Sequence, residues 1–327
     1  LWQYFNKYVN LIEVDDYREE ENNLESLARI HAGVCIPLKN ECIYYDIVAN
    51  RCEQEILKRK LNHTTFKLNE EHYEKGVNSL KAFGLPKDAW YVTFHVREPG
   101  FRGDKDNREK SQAFNRNSNP KNYIKAMERI TKAGGWVFRM GDPTMTRLPK
   151  MNQVIDYAHS PLRSDLLDVF LLATSKFCVG TSSGPMRVAG FFGVPVILSN
   201  NILHAPYYSL KTRDLYLPKK IKKITDNKNI KLQEMIKLPL SLYEYGYQYK
   251  NLGLYLVENS PEEIDFTVKE MMERFNGSTI DLNNYQLTSE QSKFKKMAEE
   301  NGVNYAKSVE AFTPCSKYFL TENTDLF

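Results

Sequence analysis

The sequence contains no apolar run approaching the length of a bilayer span and no secretory-leader pattern, so neither membrane insertion nor export is read from it. Cysteine is scarce: five in 327 residues (Cys35, Cys42, Cys52, Cys178, Cys315), with no CxxC pair. That excludes a disulfide framework and fits a reducing compartment, the cytoplasm or the inner face of a membrane. Cys35, Cys42 and Cys52 have no fourth ligand at a fitting spacing, so zinc is not expected. A charge of one sign is lacking too. The 45 Lys and Arg against 41 Asp and Glu leave +4, with a pI near 8.6. This is too mild for a nucleic-acid-binding surface but suits anionic small ligands. Repeats and low-complexity tracts are absent, which argues against a solenoid or a long disordered arm.

What is present is enough apolar residue, 42% of 38.1 kDa, for one large domain or two. From Trp90 onward, short apolar runs alternate with helical patterns. Strands are expected over Trp90–Val96, Trp136–Met140, Phe177–Gly180 and Pro195–Leu198, with helices around Tyr123–Ala133 and Ser164–Ala173 between them. Such alternation predicts an α/β fold, a Rossmann-like doubly wound parallel sheet. A capped helix over Asn69–Phe83 precedes it. Helices from Ser260 to Phe275 and from Ser289 to Asn301 follow it, before an apolar tail at Ala311–Leu320.

Ligands of these sheets bind beyond the carboxyl ends of the strands. The first strand ends in His95-Val96-Arg97-Glu98, the second in Arg139-Met140-Gly141-Asp142, the third in Gly180-Thr181-Ser182-Ser183-Gly184-Pro185. In the third, Ser182 or Ser183 can cap a helix with Pro185 in its first turn, and Gly184 admits close approach of a ligand. A helix start offers unpaired N–H groups and the positive end of its dipole, which suit a phosphate. Between Glu98 and Pro120 lies a long polar stretch that reads as a lid or acceptor loop, with Asp104, Asp106, Arg116 and Asn117 as its candidates. Lys219-Lys220-Ile221-Lys222-Lys223 is the densest basic run, a solvated segment or a contact for an acidic membrane or polyanion.

His95-Val96-Arg97-Glu98, Arg139-Met140-Gly141-Asp142 and Ser183-Gly184, in this order, resemble a family of glycosyltransferases from bacterial surface-polysaccharide gene clusters. So do Asn115-Arg116-Asn117, Ile155-Asp156-Tyr157 and the ending Tyr318-Phe319-Leu320-Thr321-Glu322-Asn323. Ser183-Gly184-Pro185-Met186 is similar to a heptosyltransferase turn, and His95-Val96-Arg97 to the diphosphate-binding element of GDP-fucose-dependent fucosyltransferases. Ser182 and Arg187 replace the Asp and His of the heptosyltransferase turn, which argues against an ADP-heptose donor.

The resemblance implies a GT-B-like architecture. Residues 1–87 would form a smaller, incomplete acceptor-side region, 88–275 the Rossmann-like nucleotide-sugar domain, and 276–327 a helical tail packed on the body. The start at Leu1 reads as a piece with an upstream portion missing. Implied partners are a nucleotide sugar and a glycan or lipid-linked saccharide acceptor, in an inverting, metal-independent reaction without a cofactor. Arg97, Thr181, Ser182, Ser183 and Gly184 would hold the diphosphate, Arg139 and Arg187 would add positive charge, Gly141 would belong to the donor site, and Asp142 would meet ribose or base unless it only caps the next helix. The acceptor's proton would go to Glu98, His95, Asp104 or Asp106. Glu98, beside Arg97, is the first choice, with an ion pair to Arg97 as its other reading. Asp104-Lys105-Asp106 has the form of a metal-binding DxD, yet it does not directly follow an apolar strand. A nucleotide-sugar epimerase and a non-catalytic nucleotide-sugar-binding module of a polysaccharide synthase are the competing functions.

Overall fold

A computed structural model describes residues 35–38, 41–44, 66–99, 114–202, 213–236, 240, 243, 245–277, 279–280, 286–301 and 313–327. Cys52, Asp104 and Asp106 lie outside the described residues. A hairpin, β1 (Cys35–Leu38) and β2 (Glu41–Tyr44), pairs antiparallel with Cys42 opposite Pro37. Helix α1 (Glu70–Ala82) begins where Asn69 Oδ1 accepts the His72 N–H at 2.8 Å.

The body is a six-stranded sheet made of β3 (Tyr91–His95), β4 (Trp136–Arg139), β5 (Val154–Ile155), β6 (Cys178–Gly180), β7 (Val196–Asn201) and β8 (Leu215–Pro218). Every pairing is parallel, and the spatial order is β5-β4-β3-β6-β7-β8. Renumbered from the first sheet strand, this is 3-2-1-4-5-6, the Rossmann order, which reverses direction between β3 and β6. All five residues of β3 are buried, as a central parallel strand covered on both faces requires. The α/β, doubly wound fold expected from the sequence is the fold observed.

Helices α2 (Ile124–Lys132), α3 (Asp165–Thr174) and α4 (Gly184–Phe191) connect the strands. Beyond the sheet come α5 (Leu232–Met235), α6 (Gly246–Asn251), α7 (Pro261–Glu273), α8 (Ser289–Asn301) and α9 (Lys317–Glu322). On one face α2 packs on α7, joined by Arg129, whose guanidinium grips both Asp265 oxygens at 2.5 and 2.7 Å. On the other, α1 and α4 pack on α3. Gly76 of α1 sits so close to the Phe170 ring that a Cβ there would lie 2.1 Å from it. Helix α1, although N-terminal to residue 88, is thus seated on the sheet's own helical layer.

The basic run at 219–223 is mostly β9 (Lys220–Lys223), paired antiparallel with β10 (Leu254–Val257). Ile221 is buried, Lys219 is 4% exposed, and Lys220 Nζ bonds Glu263 at 2.8 Å. A wholly solvated polybasic patch therefore fails as a description of this run: Lys219 and Ile221 are buried, Lys220 and Lys222 half-buried, and Lys223 alone is exposed. A two-residue pairing of β11 (Phe275–Asn276) with β12 (Thr279–Ile280) follows α7. The tail then returns to the sheet. Cys315 bridges to Tyr216 in parallel, with the Tyr216 N–H on Pro314 O at 2.9 Å and the Ser316 N–H on Tyr216 O at 2.8 Å, and the Tyr318 ring stacks on Phe266. No helix of the described residues is long and apolar enough to cross a membrane.

Candidate active site at the switch point of the sheet

The strand ends on either side of the reversal are β3 and β6, and their contact is unusually close. Gly180 faces His95 so tightly that a Cβ would stand 2.0 Å from the His95 carbonyl oxygen, so no larger residue fits between the two strand ends. Beyond Gly180, Thr181 is fully buried and ties the two together. Its N–H donates to His95 O at 3.1 Å, and its Oγ1 accepts the Arg97 N–H at 2.9 Å. Thr181, expected as a ligand-binding residue, is thus a clamp between β3 and β6.

Ser183 holds the N-cap position of α4, but its side chain does not cap the helix. The hydroxyl donates to Thr181 O at 3.0 Å and stands 2.9 Å from His95 Nδ1. A serine hydroxyl has one proton, so the imidazole donates from Nδ1 and keeps its lone pair on Nε2. Burial above all, with the charges of Arg139 and Arg97 added, pushes His95 down to about 4, so the ring is neutral at physiological pH. With Ser183 drawn away, the first turn of α4 opens without a side-chain cap. Gly184 is exposed, with open space where a Cβ would be. Ser182 is half-buried beside it. Arg187 is exposed one turn on, with no hydrogen-bond or ion-pair partner among the described residues.

Arg139 occupies a different place from the one expected. Its side chain is fully buried at the end of β4, with Nη2 on Glu98 Oε2 and Nη1 on Asp156 Oδ1, both at 3.2 Å. Glu98 Oε2 also accepts the Thr146 N–H at 2.7 Å, and Asp156 Oδ2 the Leu148 N–H at 3.0 Å. Glu98, Arg139 and Asp156, the residues following or ending β3, β4 and β5, therefore form one ion triad, buried at Glu98 and Arg139 and half-buried at Asp156. It corrects two expectations. Arg139 is wholly buried, with Nη1 and Nη2 each taken by a carboxylate and Nε without a hydrogen-bond partner among the described residues, so its charge is spent on the protein's own strand ends. Glu98 is no free proton acceptor, and its cation is Arg139 rather than Arg97.

Gly141 takes φ +145, and a Cβ there would meet the Met145 sulfur at 2.1 Å, so the tight turn after β4 demands glycine. Asp142 accepts the Thr144 N–H at 2.8 Å and its hydroxyl at 2.5 Å. Burial raises its pKa, but these bonds and the charges of Arg163 and Arg139 outweigh burial and hold it below the usual range. Asp142 thus closes a local turn; no helix begins there for it to cap. Arg97 is half-buried beside the α4 start, with its carbonyl on the Ser118 N–H at 2.9 Å. Arg116 ends a 3-10 turn, Phe114–Arg116, that packs on β7, and Asn117 follows it. Among the described residues no cluster of three or more His, Cys, Asp or Glu is arranged to hold a metal ion.

A further group at the carboxyl ends was not singled out from the sequence. Asn200 has φ +51, where the β7–β8 register shifts between Ser199 and Asn201. This bulge is held by a reciprocal pair, the Asn200 N–H on Asn259 Oδ1 and the Asn259 N–H on Asn200 Oδ1, each 2.7 Å. Tyr123 OH, fully buried, joins it through Ser199 Oγ at 2.8 Å and Asn200 Nδ2 at 3.0 Å. Polar residues at the end of a buried strand, Ser199-Asn200-Asn201, were the available signal, the same signal that marked the other three strand ends.

No protein-family model and no curated protein matches the sequence. Among solved structures, the chain is similar to a family 9 glycosyl transferase from Veillonella parvula, at 11% identity and TM-score 0.37, over 50% of this chain and 47% of that one. It is also similar to the dodecameric iron-containing heptosyltransferase TibC, solved with ADP-D-β-D-heptose, at 15% identity and TM-score 0.27, over 56% of this chain and 44% of that one. The chain thus spans less than half the length of either glycosyltransferase.

Proposed function

We propose that the protein is a glycosyltransferase of GT-B type that binds a nucleotide sugar through its diphosphate at the start of α4 and transfers the sugar to a glycan or lipid-linked acceptor. The observation that carries this reading is the uncapped start of α4 at the reversal point of a Rossmann-ordered sheet, where Ser183 is held away by His95 and Thr181. Helix N–H groups, the helix dipole and a neighbouring guanidinium make an anion site of the kind a diphosphate fills. The resemblance of the His95-Val96-Arg97-Glu98 and Ser183-Gly184 strand ends to glycosyltransferase motifs supports the choice of a sugar nucleotide.

In this reading Arg97 and the α4 start bind the diphosphate and stabilise the charge that grows on it as the glycosidic bond breaks. Arg187, exposed on the same helix, adds to the field. His95 orients the turn through Nδ1, and its low basicity fits it to accept a hydrogen bond at Nε2 rather than a proton. The Glu98-Arg139-Asp156 triad holds the strand ends in place. No step is routed through a metal or a cofactor.

Calorimetric titration with UDP, GDP, CDP and ADP and their sugars tests the proposal, followed by turnover assays with glycan acceptors. Binding of one base class, lost in Arg97→Ala, is expected. Absence of binding by every nucleoside diphosphate would overturn the reading.

A further inference from the structure

Lys219 follows β8 on the ligand side of the sheet, two strands from the α4 start, or about 10 Å at the usual strand spacing. Its side chain is 4% exposed, and among the described residues its ammonium has one hydrogen-bond partner, the Asn117 carbonyl oxygen at 2.9 Å. An ammonium carries three donors, so two have no partner among those residues. The Lys219 N–H in turn donates to Asn201 O at 2.8 Å, which sets Asn201, just past the Asn200 bulge, beside it. The side-chain amide oxygens of Asn117 and Asn201 are buried and have no hydrogen-bond partner among the described residues. Buried groups left so lose on the order of 1–3 kcal/mol each, a cost that persists where a ligand repays it.

We propose that Lys219, Asn117 and Asn201 form a site for neighbouring hydroxyl groups of a sugar ring. The complement is specific in chemistry. Two amide oxygens need donors and the ammonium needs acceptors, and a pair of adjacent hydroxyls supplies both at once. A phosphate or carboxylate would satisfy the ammonium but meet the amide oxygens as acceptor against acceptor. One oxygen of the neighbouring carboxylate is spoken for: Glu258 Oε2 accepts from Ser118 Oγ and the Asn119 N–H, both at 2.9 Å, and from Asn122 Nδ2 at 3.2 Å. The site is also rigid, because the Asn200–Asn259 pair fixes the bulge from which Asn201 projects, and Asn259 Nδ2 anchors it to Pro218 O at 2.7 Å.

Placing this site in the same crevice as the diphosphate rests on the proposed function. The diol then comes either from the sugar being transferred or from the ribose of the nucleotide. The test uses saturation-transfer NMR with free glucose, galactose, rhamnose and fucose, and calorimetry with nucleoside diphosphates, their 2′,3′-dideoxy forms and their sugars. Lys219→Met keeps the length of the side chain, and Asn117→Ala keeps the backbone carbonyl that Lys219 uses; circular dichroism of each variant checks that it is folded.

Each variant is expected to weaken binding roughly tenfold or more, the usual scale for a hydrogen bond to a charged group. A loss confined to nucleotide sugars assigns the diol to the transferred sugar, and a loss seen with ribose but not dideoxyribose assigns it to the nucleotide. Transfer to a free monosaccharide that disappears in Lys219→Met but survives in Arg97→Ala sustains the site even if no nucleotide binds, in which case only the glycosyltransferase reading fails. Unchanged binding of every probe in both variants, or no sugar signal in wild-type protein by either method, overturns the site.

Discussion

Ser183 Oγ stands 2.9 Å from His95 Nδ1, so the residue placed to cap α4 is engaged by the last residue of β3 instead. An ordinary N-cap would close the helix start with its own oxygen and compete with any anion for the same N–H groups. Exchanging Ser183 for Asp, which caps well and adds a negative charge, is expected to leave stability within about 1 kcal/mol while weakening nucleoside diphosphate binding at least tenfold. Paired chemical denaturation and calorimetry measure the two effects, and unaltered affinity would refute the account.

His95 is neutral when folded, at about 4 against an ordinary 6.5. Between those values the unfolded chain takes up a proton that the folded chain refuses, so stability falls as pH drops from 6.5 towards 4. The full effect is of order 3 kcal/mol, from about 1.4 kcal/mol per pH unit. Urea midpoints at pH 7 and pH 4.5 should diverge in wild-type protein and draw together in His95→Gln. Equal slopes in the two proteins would count against a buried neutral imidazole.

Lys219 gives a case of the same sign at alkaline pH. Burial lowers its amine to about 8 from 10.5, so the folded chain releases its proton first and stability rises between those values. Lys219→Met should remove that rise, which urea midpoints at pH 7.5 and pH 10 will detect.

The triad of Glu98, Arg139 and Asp156 predicts that a change at Glu98 is read first as lost stability. Arg139→Met leaves the buried Glu98 and the half-buried Asp156 without their cation, a loss of about 3–5 kcal/mol by comparison with other broken buried pairs. Glu98→Gln retains an acceptor oxygen and should cost less. A Glu98→Gln protein as stable as wild type but wholly without turnover would restore the carboxylate as a proton acceptor.

Gly180→Ala would thrust a methyl group into the His95 carbonyl and part β3 from β6. Overpacking of this kind costs about 1–3 kcal/mol, and here it also displaces the α4 start. Denaturation and nucleotide titration should therefore fall together. A variant that lost neither would show that the strand ends tolerate separation.

The alternation of strands and helices was legible because the apolar runs at Tyr91–His95, Trp136–Arg139 and Cys178–Gly180 are short, buried and bounded by glycine or polar residues. Helix starts at Asn69, Ser164 and Ser260 were legible for a local reason, since each side chain caps within three residues. What could not be read were relations set by strand order. Arg139 looked like a ligand-binding cation because its partners, Glu98 and Asp156, lie on different strands and meet it only once β3, β4 and β5 are neighbours. Lys219 was hidden in a basic run whose period of two becomes visible only after β9 pairs with β10. Strand β5, with two residues, is too short to leave a pattern.

The bridge from Cys315 to Tyr216 bears on how the molecule is made. It supplies a partner for the outer edge of β8 from residues that leave the ribosome about a hundred positions after the strand they cover. Until then β8 is an open edge able to recruit another chain. The tail is thus a late seal on the sheet, and a nascent chain stalled before Pro314 would be the form that needs a chaperone most.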